Sequence, residues 1–191
     1  MKKIFIMMAC VATMLVGCSK DDDTNKDNNA SDTPTVQLKD NQASLDGKVY
    51  DVESSVGWQI NADDENRYFV DAVNEEFTIR FDLYQSIRDK VVNLADPMSA
   101  GTDISLMINR EGFYFDQEIH PRDNYVGYTV TIGEEETQGE GSAFRTGTLK
   151  VHHTDDSDFS AELTGTLING RTIALKVNVP KDSIDIWSSG K

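Results

Sequence analysis

Five stretches of this chain alternate between apolar and polar residues, broken only at Met107 and Ala174, and that alternation constrains the fold more than any other feature. Phe77, Ile79, Phe81 and Leu83 alternate with Thr78, Arg80, Asp82 and Tyr84. Ile104, Leu106 and Ile108 repeat the pattern, as do Val126, Tyr128, Val130 and Ile132. Further on, Phe159, Ala161, Leu163, Gly165 and Leu167 do the same, followed by Ile173, Leu175, Val177 and Val179. Successive side chains on a strand point to opposite faces, so each run reads as a strand with one face buried. No segment carries a helical stripe. The stretch from Gln85 to Ala95 could hold a helical turn, but Pro97 and Gly101 soon interrupt it.

Turn chemistry joins these runs. Asn169-Gly170 sits between the last two, and Asp46-Gly47 sits between Leu45 and the run from Lys48 to Val52. Such pairs tolerate positive φ and are the strongest short-range hairpin signal. Residues 133–141 (GEEETQGEG) read as an acidic, glycine-rich loop between strands. Thr-Gly-Thr-Leu occurs at 146–149 and again at 164–167, which places the two copies at equivalent positions of adjacent strands. The expected fold is all-β, an antiparallel β-sandwich or flattened barrel of about nine to ten strands.

The N-terminus has a different character. Lys2-Lys3 precede an apolar segment from Ile4 to Val16 that only Thr13 breaks, and small residues follow. That is the layout of a secretory signal, and the segment is shorter than the roughly 20 apolar residues a membrane-spanning helix needs. Leu15-Val16-Gly17-Cys18 resembles the lipobox of bacterial lipoproteins, which implies cleavage after Gly17 and acylation of Cys18. Cys10 would leave with the signal, so Cys18 becomes the only cysteine and no intramolecular disulfide is expected. Ser19 to Asp23 resembles the export signal that sends Bacteroidota lipoproteins to the outer face of the outer membrane. The expected address is the outer membrane, lipid-anchored and facing the exterior, with the periplasmic face as the alternative.

The rest of the chain carries a resemblance as well. Leu45 to Tyr50 (LDGKVY), Ser99-Ala100-Gly101-Thr102, Gly147 to Val151, Leu163 to Leu167 and Asn169-Gly170 resemble small Bacteroidota lipoproteins with a β-sandwich domain. The resemblance covers residue 44 to about residue 180. The family has no agreed activity, so the resemblance implies fold and address only. The expected organisation is a cleaved signal over 1–17, a lipidated cysteine and flexible acidic tether over 18–36, and one domain over 37–187. The tether is rich in Asp, Asn, Ser and Thr, which cannot bury enough apolar surface to order themselves.

The formal charge is −15, and it becomes more negative once the N-terminal lysines are removed. Nucleic acid is therefore not an expected partner. The expected contacts are the membrane, through the lipid on Cys18, and a protein or glycan; the oligomeric state stays open. No Gly-x-Ser-x-Gly elbow, phosphate loop or dinucleotide fingerprint occurs. The chain reads as non-catalytic, with no cofactor expected.

Adjacent His152 and His153 would point to opposite strand faces, so zinc would need one of them with a distant ligand such as Asp155 or His120. Oxygen-rich turns at Asn61, Asp63 and Glu65, and at Asp155, Asp156 and Asp158, are the calcium candidates. Among Trp58, Tyr68, Tyr84, Tyr114, Tyr125 and Trp187, the candidates for stacking on a ligand are Tyr84, on the polar face of its strand, and Trp187, after the last run.

Overall fold

The computed structural model describes residues 36–62 and 64–189. The readings made above on the signal (1–17), on Cys18 and Ser19–Asp23, on the tether as far as residue 35 and on Asp63 lie outside these residues. Fourteen strands are present among the described residues. They are β1 (Gln42–Leu45), β2 (Lys48–Asp51), β3 (Glu53–Asn61), β4 (Arg67–Val73), β5 (Phe77–Tyr84), β6 (Val91–Asn93), β7 (Ile104–Arg110), β8 (Phe113–His120), β9 (Tyr125–Ile132), β10 (Glu135–Glu140), β11 (Phe144–His152), β12 (Phe159–Leu167), β13 (Thr172–Val179) and β14 (Asp185–Ser189). Only short 3₁₀ turns interrupt them, two of them at Gln85–Ile87 and Pro97–Ala100. Among the described residues no helix is long and apolar enough to cross a membrane.

The strands form two separate sheets, a sandwich rather than a closed barrel. One has the order β2-β1-β13-β12-β11-β6 and the other β10-β9-β8-β7-β5-β4-β3-β14. The alternating runs deliver their apolar faces to the space between them, except that on β9 Val126 and Tyr128 are only partly buried and Ile132 is exposed. Ile79, Phe81 and Leu83 of β5, Phe115 of β8 and Phe159 of β12 are fully buried there. The repeated Thr-Gly-Thr-Leu segments do lie side by side, with Gly147 opposite Gly165 in the β11–β12 ladder. Asp46 and Gly47 both take positive φ, 52° and 80°, and close the β1–β2 hairpin.

Three features differ from the reading of the sequence. Fourteen strands replace nine or ten, because β1, β2 and β6 are three or four residues long and too short to show a period. Residues 135–140, read as loop, form β10, which pairs only with β9 and keeps nearly every side chain in solvent. A strand that buries neither face has no apolar alternation to reveal it. Finally, β14 pairs with β3 in parallel, so the fold is not wholly antiparallel.

Buried polar groups sit where the core needs a stitch. Gln117 of β8 is 1% exposed. It donates to the Gly127 carbonyl at 2.8 Å and accepts the Ala143 N–H at 2.7 Å. At the other end, the Tyr68 hydroxyl meets His153 Nδ1 at 2.8 Å, inside a cluster with Trp58 and Phe159. On the outside of the six-stranded sheet, Val36 to Leu38 run over Thr164, Ala174 and Lys176 before β1 begins.

Candidate functional site

The outer face of the eight-stranded sheet collects the chemistry. Register fixes which residues share it: Gly57 of β3 lies opposite Phe69 of β4, then Asp82, Ser105, Glu118 and Gly127 follow strand by strand to β9. At about 4.8 Å per strand, this row spans roughly 24 Å from glycine to glycine. The neighbouring row holds Gln59, Arg67, Tyr84, His120 and Tyr125.

An aromatic ring lies against the glycine at each end. Trp187 of β14 leans over Gly57, where a Cβ would run into its six-membered ring. It stacks on Phe69 with centroids 5.7 Å apart and planes at 23°. At the far end Tyr125 leans over Gly127, where a Cβ would meet its phenol. It stacks on His120 at 6.0 Å and 19°. Trp187 is 41% exposed and Tyr125 46%. The strand periodicity hides this arrangement, because a glycine and a ring 130 residues away meet only through the parallel β14–β3 pairing.

The floor between the two ring pairs is acidic. Glu118 accepts from Ser105 Oγ at 3.3 Å and lies 2.8 Å from His120 Nε2. The other imidazole nitrogen faces Asp103 at 3.5 Å. Burial raises the Asp82 carboxyl above its ordinary range, against the pull of Arg67 at 3.6 Å, with the charges of Glu118 and Asp103 adding to the rise. Burial and then Glu118 raise Asp116 likewise. Asp116, Glu118 and Glu140 line a cleft of about 340 Å³ beside Tyr125. Each arginine here already holds a carboxylate: Arg67 with Asp82, Arg80 with Asp71, and Arg122 with Asp64 and Glu65.

The sequence candidates fall in several places. Trp187 is an exposed ring on this face. Tyr84 is on it too, but only 5% exposed, with the guanidinium carbons of Arg67 and Arg122 at 4.3 and 5.0 Å from its ring centre. Tyr114 is half-buried and bonds Asp116 at 3.3 Å. Trp58 and Tyr68 stack on each other at the core, 6.0 Å apart. His152 turns out to Asp89 while His153 turns in to Tyr68, as adjacent strand positions require. His120 stands on the eight-stranded sheet with Glu118, away from both.

Asp155, Asp156 and Asp158 share a turn with separate duties. Asp155 lies 3.9 Å from Arg88, and Asp158 accepts the Lys181 N–H at 3.1 Å. The Asn61–Glu65 turn is closed by its own hydrogen bonds, Asn61 Nδ2 donating to the Glu65 carbonyl at 2.7 Å. Among the described residues no three of His, Cys, Asp and Glu are grouped so as to hold a metal ion.

Phe69, Glu118, Gly57 and Gly127 were not singled out from the sequence, and His120 was weighed only as a distant zinc ligand. Two signals for them exist. Tyr68 and Phe69 are adjacent on a strand, so one ring must face outward. Tyr114, Asp116, Glu118 and His120 alternate with the buried Phe113, Phe115, Gln117 and Ile119, which gathers four functional side chains on one face. Comparison of the chain with protein-family models, with curated proteins and with solved structures finds no match.

Proposed function

We propose that this chain is a lipid-anchored, non-catalytic binding module of the outer membrane, and that the outer face of its eight-stranded sheet engages an extended extracellular glycan. One observation carries the choice of face: at opposite ends of a single strand-crossing row, an exposed ring, Trp187 or Tyr125, packs over a glycine and stacks on a neighbouring ring. A flat ring matches the apolar C–H face of a sugar and buries it at little conformational cost. Two such pairs a couple of nanometres apart suit a polymer better than a small molecule. An accessory role in a polysaccharide uptake system fits this face; a protein partner is the competing reading.

The anchor rests on the lipobox-like Leu15 to Cys18, and the outward orientation on Ser19 to Asp23. Cys18→Ala should abolish labelling by a fatty-acid probe, and protease added to intact cells should remove the domain. Survival of the domain in that shaving experiment would place it in the periplasm. For the face itself, Trp187→Ala and Tyr125→Ala should each weaken polysaccharide binding by about tenfold or more in affinity electrophoresis. Unchanged migration in both variants would move the contact elsewhere.

A further inference from the structure

We infer that the polymer taken by this face is an uncharged polysaccharide, and that the face rejects polyuronates and other anionic chains; the inference rests on the glycan reading above. The argument is a charge census between the two ring pairs. A chain lying along the row from Trp187 to Tyr125 passes over Asp82, Ser105 and Glu118, with Asp116 and Glu140 beside the Tyr125 end. The arginines that could neutralise an incoming carboxylate are occupied. Arg80 is held by Asp71 through two contacts at 2.6 and 3.2 Å, Arg67 faces Asp82, and Arg122 is drawn off to Glu65 at 3.2 Å. Both nitrogens of His120 face carboxylates too.

Carboxylates only accept, so what they ask of a ligand is donors. Sugar hydroxyls are donors, and a hydroxyl donated to an ionised carboxylate makes a stronger bond than one between neutral groups. An anionic sugar offers the opposite. Its carboxylate would sit among Glu118, Asp116 and Glu140 with no free cation among the described residues of this face to meet it. Rings alone would accept either class; the floor between them discriminates. The glycines set the geometry, since side chains at 57 and 127 would lift the rings off the floor and separate the stacking contact from the hydroxyl-accepting one.

The test uses the full-length chain in detergent. It is titrated with neutral glucan, mannan, xylan and galactan, and in parallel with polygalacturonate and alginate, following tryptophan emission and affinity electrophoresis. At least one neutral polymer should bind, with the signal lost in Trp187→Ala and Tyr125→Ala. The polyuronates should bind at least tenfold more weakly, with the gap narrowing in high salt and in the Asp116→Asn/Glu118→Gln double variant. Polyuronate binding as tight as neutral binding, and dependent on the same two rings, would overturn the charge selection while leaving the glycan reading in place. Binding of neither class by a folded sample would overturn both.

Discussion

At the scale of single residues, the pair Tyr68–His153 and the stitch at Gln117 show what the core asks of its polar groups. Burial pushes the Tyr68 hydroxyl up to about 12, so it stays protonated while it hydrogen-bonds His153 Nδ1 across 2.8 Å. His153, 3% exposed, has its pKa lowered, first by burial and then by the Arg88 charge. Its unfolded value lies near 6.5, so the folded state favours the neutral ring. The stability this contributes is present above that value and is lost as pH falls through the lower folded value. Urea midpoints measured from pH 7.5 downward should therefore drop below about pH 6.5, and His153→Gln, which keeps hydrogen-bonding capacity without titrating, should flatten that limb. Gln117→Ala removes the acceptor from the buried Ala143 N–H and should cost about 1–3 kcal/mol in urea unfolding. Gly57→Ala is the converse case. A Cβ there displaces the Trp187 ring, so polysaccharide binding should fall while stability shifts by no more than about 1 kcal/mol, the backbone gain offsetting the loss of the Phe69 stack.

At the scale of elements, visibility in the sequence tracks burial. Strands β5, β7, β9, β12 and β13 are legible because one face of each enters the core and writes a period of two. Strand β10 is not, since its sequence EETQGE serves solvent on almost every side. Its glutamates have a different use: they guard a free edge, where unpaired backbone groups would otherwise recruit another strand. Replacing Glu135, Glu136 and Glu140 together by Val should leave the fold intact and produce concentration-dependent association in sedimentation velocity. The same logic explains the candidate site. Trp187 is visible as a ring beyond the last alternating run, yet its seat on Gly57 follows from a parallel pairing that no local pattern encodes. Tyr84 shows the limit from the other side. Its place on the polar face of β5 is legible, but the two arginines that cover it come from β4 and from the turn after β8.

At the scale of the whole domain, the two outer faces have different neighbours. The chain reaches β1 across the six-stranded sheet, with Val36 to Leu38 over Ala174 and Thr164, whereas the ring pairs lie on the eight-stranded sheet. Attaching an unlipidated form of the chain, made without residues 1–17 so that Cys18 keeps its thiol, to a maleimide surface through that thiol should therefore preserve polysaccharide binding. Attaching it through a bulky C-terminal fusion after β14 should reduce binding several-fold, and equal binding in both formats would argue against the ring face. The parallel pairing of β14 with β3 also orders events in time. Trp187 reaches Gly57 only after the intervening 129 positions have been laid down, because the loop it closes contains every strand from β4 to β13. Closing so long a loop is entropically unfavourable until the sheets themselves bring its ends together. One end of the ring platform is thus a late product of folding. A chain that stops short of completion, or a sandwich that has not closed, displays no finished platform.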